Sequence, residues 1–117
     1  MKLEDIREYC SAKKGVTEER PFGPETLVFK VMGKVFAITA IDSHPLSMNL
    51  KCDPEDALAF RDIYPAIKPG FHMNKKHWNT VIIDGTIPDD FVLEMIDDSY
   101  DLVARGLSKG TREKLHL

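Results

Sequence analysis

The run His72-Met73-Asn74-Lys75-Lys76-His77-Trp78-Asn79 is where this chain concentrates side chains able to hold a ligand. Lysines at the tip of a hairpin can reach phosphates, and each phosphate they neutralise releases counterions. An asparagine can pair with an adenine edge, and a neighbouring aromatic ring can stack on a base. An ordinary reading competes: Trp78 as a core anchor opening a strand, Lys75 and Lys76 as solvated loop residues. For Trp78 the ordinary reading is preferred. For the two lysines both stay open.

Other chemistries find less to work with. The possible metal ligands are His44, His72, His77, His116, Cys10 and Cys52, yet none forms a CxxC pair. His72 and His77 are five apart, which does not bring them together on a helix. Both cysteines fall on apolar faces, where a free thiol behaves as a small core residue. Ser43-His44 is adjacent in sequence without the glycine-framed turn of a nucleophile. The acid pairs Asp89-Asp90 and Asp97-Asp98 fit a helix start and a solvated helix face. Gly33, Gly70 and Gly85 stand singly at turns, so no phosphate-cradling loop is present. The expectation is a non-catalytic protein with no metal and no cofactor.

The elements that must carry the basic run follow from periodicity. Leu3, Ile6 and Cys10 give one apolar stripe, predicting a first helix over 3–13 that Gly15 stops. Residues 17–25, with Pro21, Gly23 and Pro24, read as a loop. Segments 26–32 and 34–41 are rich in β-branched and aromatic residues around Gly33, which predicts a hairpin. In 46–52, Leu46, Met48, Leu50 and Cys52 alternate with Ser47, Asn49 and Lys51, the pattern of a half-buried strand. Asp53-Pro54-Glu55-Asp56 is a strong helix start, by side-chain capping and by charge at the positive end of the helix dipole. A second hairpin is expected from a short strand around 68–73 and another over 78–83, its tip at Asn74-Lys75-Lys76. Thr86 and Asp89 suggest a capping box opening a last long helix that ends near Arg105. Residues 110–117 read as a polar, frayed tail. The fold class is therefore α+β, an antiparallel β-sheet flanked by helices in the order αβββαββα, within a single domain over 1–109.

Bulk properties narrow the setting. The chain has 117 residues and a net charge of −3, unevenly spread. Residues 61–79 carry a net charge of +3, while 84–101 hold seven acids and neither Lys nor Arg. One end of the fold is thus expected to attract polyanions and another to repel them. Two cysteines, no secretory leader and no apolar run near ~20 residues suggest a cytoplasmic protein with free thiols and no membrane association. A monomer is the default.

Several stretches resemble one known family. They are Pro21-Phe22-Gly23, Thr26 to Val31, Lys34 to Ala37, Leu50-Lys51-Cys52-Asp53-Pro54, Gly70 to Thr80, and Ser99 to Val103. Together they are similar to the MmcQ/YjbR family over nearly the whole chain, the Met-Asn-Lys-Lys-His-Trp-Asn run most distinctively. The resemblance implies an antiparallel sheet flanked by helices, related to frataxin-like and secretion-chaperone-like shapes. It also implies a proposed DNA-binding role through two β-hairpin wings. Carried onto this sequence, the wings are the Met32-Gly33-Lys34 turn with Lys30, and the tip Asn74-Lys75-Lys76-His77. Lys75 and Lys76 would contact phosphates, Lys34 and Lys68 would add positive field, and His77 or Asn79 would meet sugar or base. The alternative is a protein- or peptide-binding module that uses a chaperone-like sheet surface, with Met32, Phe71 and Met73 near its loops.

Overall fold

Alternation along β4 (Leu46–Lys51) gives the sheet two unlike faces: Met48 and Leu50 are buried, while Ser47, Asn49 and Lys51 point the other way. The computed structural model describes residues 1–115. In it β4 lies near the centre of a six-stranded sheet. The other strands are β1 (Val16–Glu19), β2 (Thr26–Val31), β3 (Lys34–Ala40), β5 (Ile67–Pro69) and β6 (Trp78–Ile83). Their order is β1-β2-β3-β4-β6-β5 and every neighbouring pair is antiparallel. The helices are α1 (Leu3–Ser11), α2 (Pro54–Ile63), α3 (Asp89–Arg105) and α4 (Lys109–Leu115).

The core forms between the apolar face of the sheet and α1 and α3. Leu27, Phe29 and Val31 of β2, Met48 and Leu50 of β4, and Val81 of β6 meet Ile6 and Cys10 of α1 and Val92, Ile96 and Tyr100 of α3. A bulge tunes this face: Phe29 pairs with Ala37 but Lys30 with Val35, leaving Phe36 as the extra residue. Phe36 and Ala37 consequently both turn inward, and the Phe36 ring meets Tyr100 edge-on at 5.4 Å. Ser99, fully buried, donates to the Phe36 carbonyl at 2.5 Å and accepts from the Lys51 amide at 2.8 Å, pinning α3 across β3 and β4. Helix α1 is tied down by Tyr9, whose hydroxyl donates to Asp97 at 2.7 Å, and by Lys13, whose ammonium lies 2.5 Å from the same carboxylate.

Some expectations need correction. Residues 16–19, read mostly as loop, form β1, an edge strand whose Thr-Glu-Glu composition hid it; pairing with β2 makes it a strand. Thr86 does not cap α3, because its amide and hydroxyl both go to Asp84, at 3.0 and 2.6 Å, and Pro88 occupies the cap position. The expected strand over 68–73 shortens to Ile67–Pro69. The segment expected to fray carries α4, and Leu115 is buried against Gly15 and the core. His116, among the candidate metal ligands, lies outside the described residues.

Candidate nucleic-acid interface

The register of the strands decides where the two expected wings lie. Met32 and Gly33 close the β2–β3 hairpin between the paired residues Val31 and Lys34. Both have positive φ, +47° and +85°, as a two-residue type I′ turn requires. Beyond β3 comes β4, whose last residue Lys51 pairs with Trp78, the first residue of β6. The loop over 70–77 therefore leaves the same end of the sheet as the Met32-Gly33 turn. One intervening strand separates them, roughly 10 Å at the usual strand spacing.

The two turns differ in build. The first is minimal, with Lys34 exposed at its foot and the Met32 amide donating to the Gly15 carbonyl at 3.0 Å. The second is a compact, braced loop. The Gly70 amide donates to the Trp78 carbonyl at 2.9 Å, the Trp78 amide to the Asn74 carbonyl at 3.0 Å, and the Cys52 amide to the His77 carbonyl at 2.8 Å. Helix α2 holds it from the side: the Arg61 guanidinium donates to the Lys75 carbonyl and, through Nε, to Asn79 Oδ1 at 2.7 Å. The local reason is plain in the sequence. Asp53 caps α2 by accepting the Glu55 and Asp56 amides at 3.0 and 3.4 Å, which fixes the helix start where β4 ends and aims Arg61 at the loop.

The candidate residues now separate. Lys34, Lys68, Asn74, Lys75 and Lys76 are exposed, and among the described residues none of the lysine ammoniums forms an ion pair. Lys75 Nζ donates to the Gly70 carbonyl at 3.1 Å, so part of its donor capacity braces its own loop. Lys30 is bridged to Glu19 at 3.1 Å and its charge is locally neutralised. His77 is half-buried and serves the fold through its carbonyl. Asn79 cannot meet a base: it is 2% exposed, on the core side, accepting from Arg61 and donating to the Ala57 carbonyl at 3.4 Å. Trp78 opens β6 as expected but is no core anchor. Its register with Lys51 puts it, half-buried, on the face without helices, outside the core cluster.

Arg61 is the residue that sequence reasoning missed, since on a helix it read as one more surface charge. Its only sequence signal was position, late in a helix whose start was already fixed. The thiols give no sign of activation. Burial pushes Cys10 up to about 12 and Cys52 to about 11, the latter helped by Asp56, Asp53 and Asp98. Among the described residues no three His, Cys, Asp or Glu side chains converge as a metal site would need. No helix there is long and apolar enough to cross a membrane.

Comparison with known proteins places this geometry in company. The model of the YjbR family matches residues 11–102. The Escherichia coli O157:H7 protein YbdF is 43% identical over 95 residues, covering 81% of this chain and 78% of that one. The YjbR protein of Escherichia coli K12 is 30% identical over 116 residues, 98% of each chain. Among solved structures, that of Deinococcus radiodurans DR2400 aligns with a TM-score of 0.92 at 42% identity, over 99% of this chain and 88% of that one. A Pseudomonas syringae crystal structure aligns with a TM-score of 0.76 at 27% identity, over 87% and 98%.

Proposed function

This chain belongs to the YjbR family, and from that premise we propose that it is a non-catalytic DNA-binding protein whose contact surface is the end of the sheet shared by the two hairpin turns. The observation that carries the reading is the register: Lys51 opposite Trp78 and Val31 opposite Lys34 bring both turns to one edge of the molecule. Lys34 and Lys76 present ammoniums there that pair with no acid among the described residues, Lys75 shares its charge with the loop it braces, and Lys68 adds to the field from β5. Asn74 is the exposed amide at that edge. The acids of α3 belong to the helix layer, while Asp53, Glu55 and Asp56 open α2 at the same end as the loop and moderate its positive field.

Few cations imply modest affinity and a shallow salt dependence, with a log-log slope of roughly −2 to −4. The test is fluorescence anisotropy with a short labelled duplex across a salt series. The double variant Lys34→Glu/Lys76→Glu is run beside the parent, because neither side chain braces the fold. Binding that weakens with salt and falls at least tenfold in the variant supports the reading. Absence of saturable binding at low salt, or affinity indifferent to both salt and variant, would sink it.

A further inference from the structure

The second face of the sheet carries a groove that DNA contact at the turns does not use. Its volume is about 570 Å3, within the range of ligand sites, and most of its exposed lining is apolar. Val35, Ile38 and Ala40 of β3 form the floor; Phe22 walls one side and Phe71 with Met73 the other. The two rings are 74% and 67% exposed, a cost in water that the folded chain does not relieve.

The polar atoms in the floor are already occupied with one another. Thr80 Oγ1 donates to Asn49 Oδ1 at 2.5 Å, Asn49 Nδ2 to the Phe71 carbonyl at 3.1 Å, and the Phe71 amide to Thr80 Oγ1 at 2.8 Å. This triangle fixes the Phe71 wall above the sheet; Thr26, Ser47 and His72 are the polar side chains of the lining that stand outside it. With so little polar surface in the lining, a nucleobase or a polar metabolite would leave most of its own donors and acceptors without partners. An apolar side chain would not.

Charge distinguishes the ends of the groove. At the end nearer the hairpin turns, Lys51 follows two residues after Asn49 on the same face, while the Lys30 charge opposite Val35 is taken up by Glu19. At the other end Glu25 precedes Thr26, and Asp42 lies two residues beyond Ala40. We infer that the groove docks a peptide segment of a partner protein, with bulky apolar side chains at its middle and acidic residues at one end, the acidic end toward Lys51. This surface uses neither Lys34 nor Lys76, the lysines on which the DNA reading is tested.

The probe is a synthetic peptide with a Leu/Phe-rich middle and a run of glutamates at one end. It is titrated into the isotope-labelled protein beside a version carrying lysines instead, an oligo-dT and dodecanoate. Saturable binding with amide shifts centred on Ile38, Ala40, Asn49 and Phe71 is expected. Phe22→Ala and Phe71→Ala should each weaken it at least about fivefold, without loss of fold, because both rings are exposed. The lysine version should bind several-fold more weakly, and Lys34→Glu/Lys76→Glu should bind the peptide like the parent. The inference is overturned if the peptide does not saturate, if the shifts fall elsewhere, or if the lysine version binds equally well. It is overturned equally if oligo-dT or dodecanoate occupies the groove more tightly than the peptide.

Discussion

Asn79 shows how a residue in a promising run can belong wholly to the fold. Its amide joins Arg61 to the Ala57 carbonyl, at 2.7 and 3.4 Å, and so links α2, β6 and the lysine-bearing loop. Asn79→Ala leaves a guanidinium and a carbonyl without their partner, which costs about 1–3 kcal/mol. Denaturant melts should report that loss, whereas the folded fraction should bind duplex like the parent; a selective loss of binding at unchanged stability would instead mean base contact. Asp98 offers a test by pH. Its carboxyl is raised above the ordinary range by partial burial and then by Glu94, Asp101, Asp97 and Asp56. The native state therefore favours the protonated form: the advantage is complete below the unfolded carboxylate's pKa and is lost as pH rises through the raised native value. Asp98→Asn should accordingly stabilise the protein at pH 7, by a few tenths of a kcal/mol since the site is exposed and screened. The gain should vanish below about pH 4, and melts at both pH values would show it.

At the scale of elements, the loop between β5 and β6 depends on a glycine for closeness rather than for a left-handed backbone. A Cβ at Gly70 would lie 2.8 Å from both Trp78 Cβ and the Trp78 carbonyl oxygen and 3.1 Å from Met73 Cβ. Backbone cannot step aside as a flexible side chain can, so Gly70→Ala should cost about 1–3 kcal/mol. Amide exchange should also speed up in the loop before it does in the β2–β3 hairpin. An unchanged exchange pattern would mean that the loop is not packed against β6.

These same elements mark what the sequence could disclose. β4 and the capped start of α2 were legible because alternation and an Asp-Pro cap are local signals. β1 was not, because a short edge strand with two glutamates exists only through its pairing with β2. α4 was not, because the burial of Leu115 against Gly15 is a contact across nearly the whole chain. Of the candidate site, the basic run and the Gly33 turn were legible as turns. That one edge unites them is a property of register, and the Arg61 brace joins residues that no spacing rule connects.

The whole molecule is a layered object with unlike sides: a helix layer that carries the acids of α3, an edge that bears Lys34 and Lys76, and a sheet face that holds a mostly apolar groove. Loop 70–77 belongs to two of these at once. Lys75 and Lys76 sit on one half of it, Phe71 and Met73 on the other, with Arg61 clamping the first and the Asn49–Thr80 triangle the second. A guest that displaces the Phe71 wall must pull on the segment that positions the lysines. If the loop moves as one piece, a polyanion seated on the lysines in turn changes the shape offered to that guest. Thermodynamic linkage makes such influence reciprocal, each ligand altering the other's affinity by the same factor. A short braced loop would then let a small domain report on one partner by its grip on another.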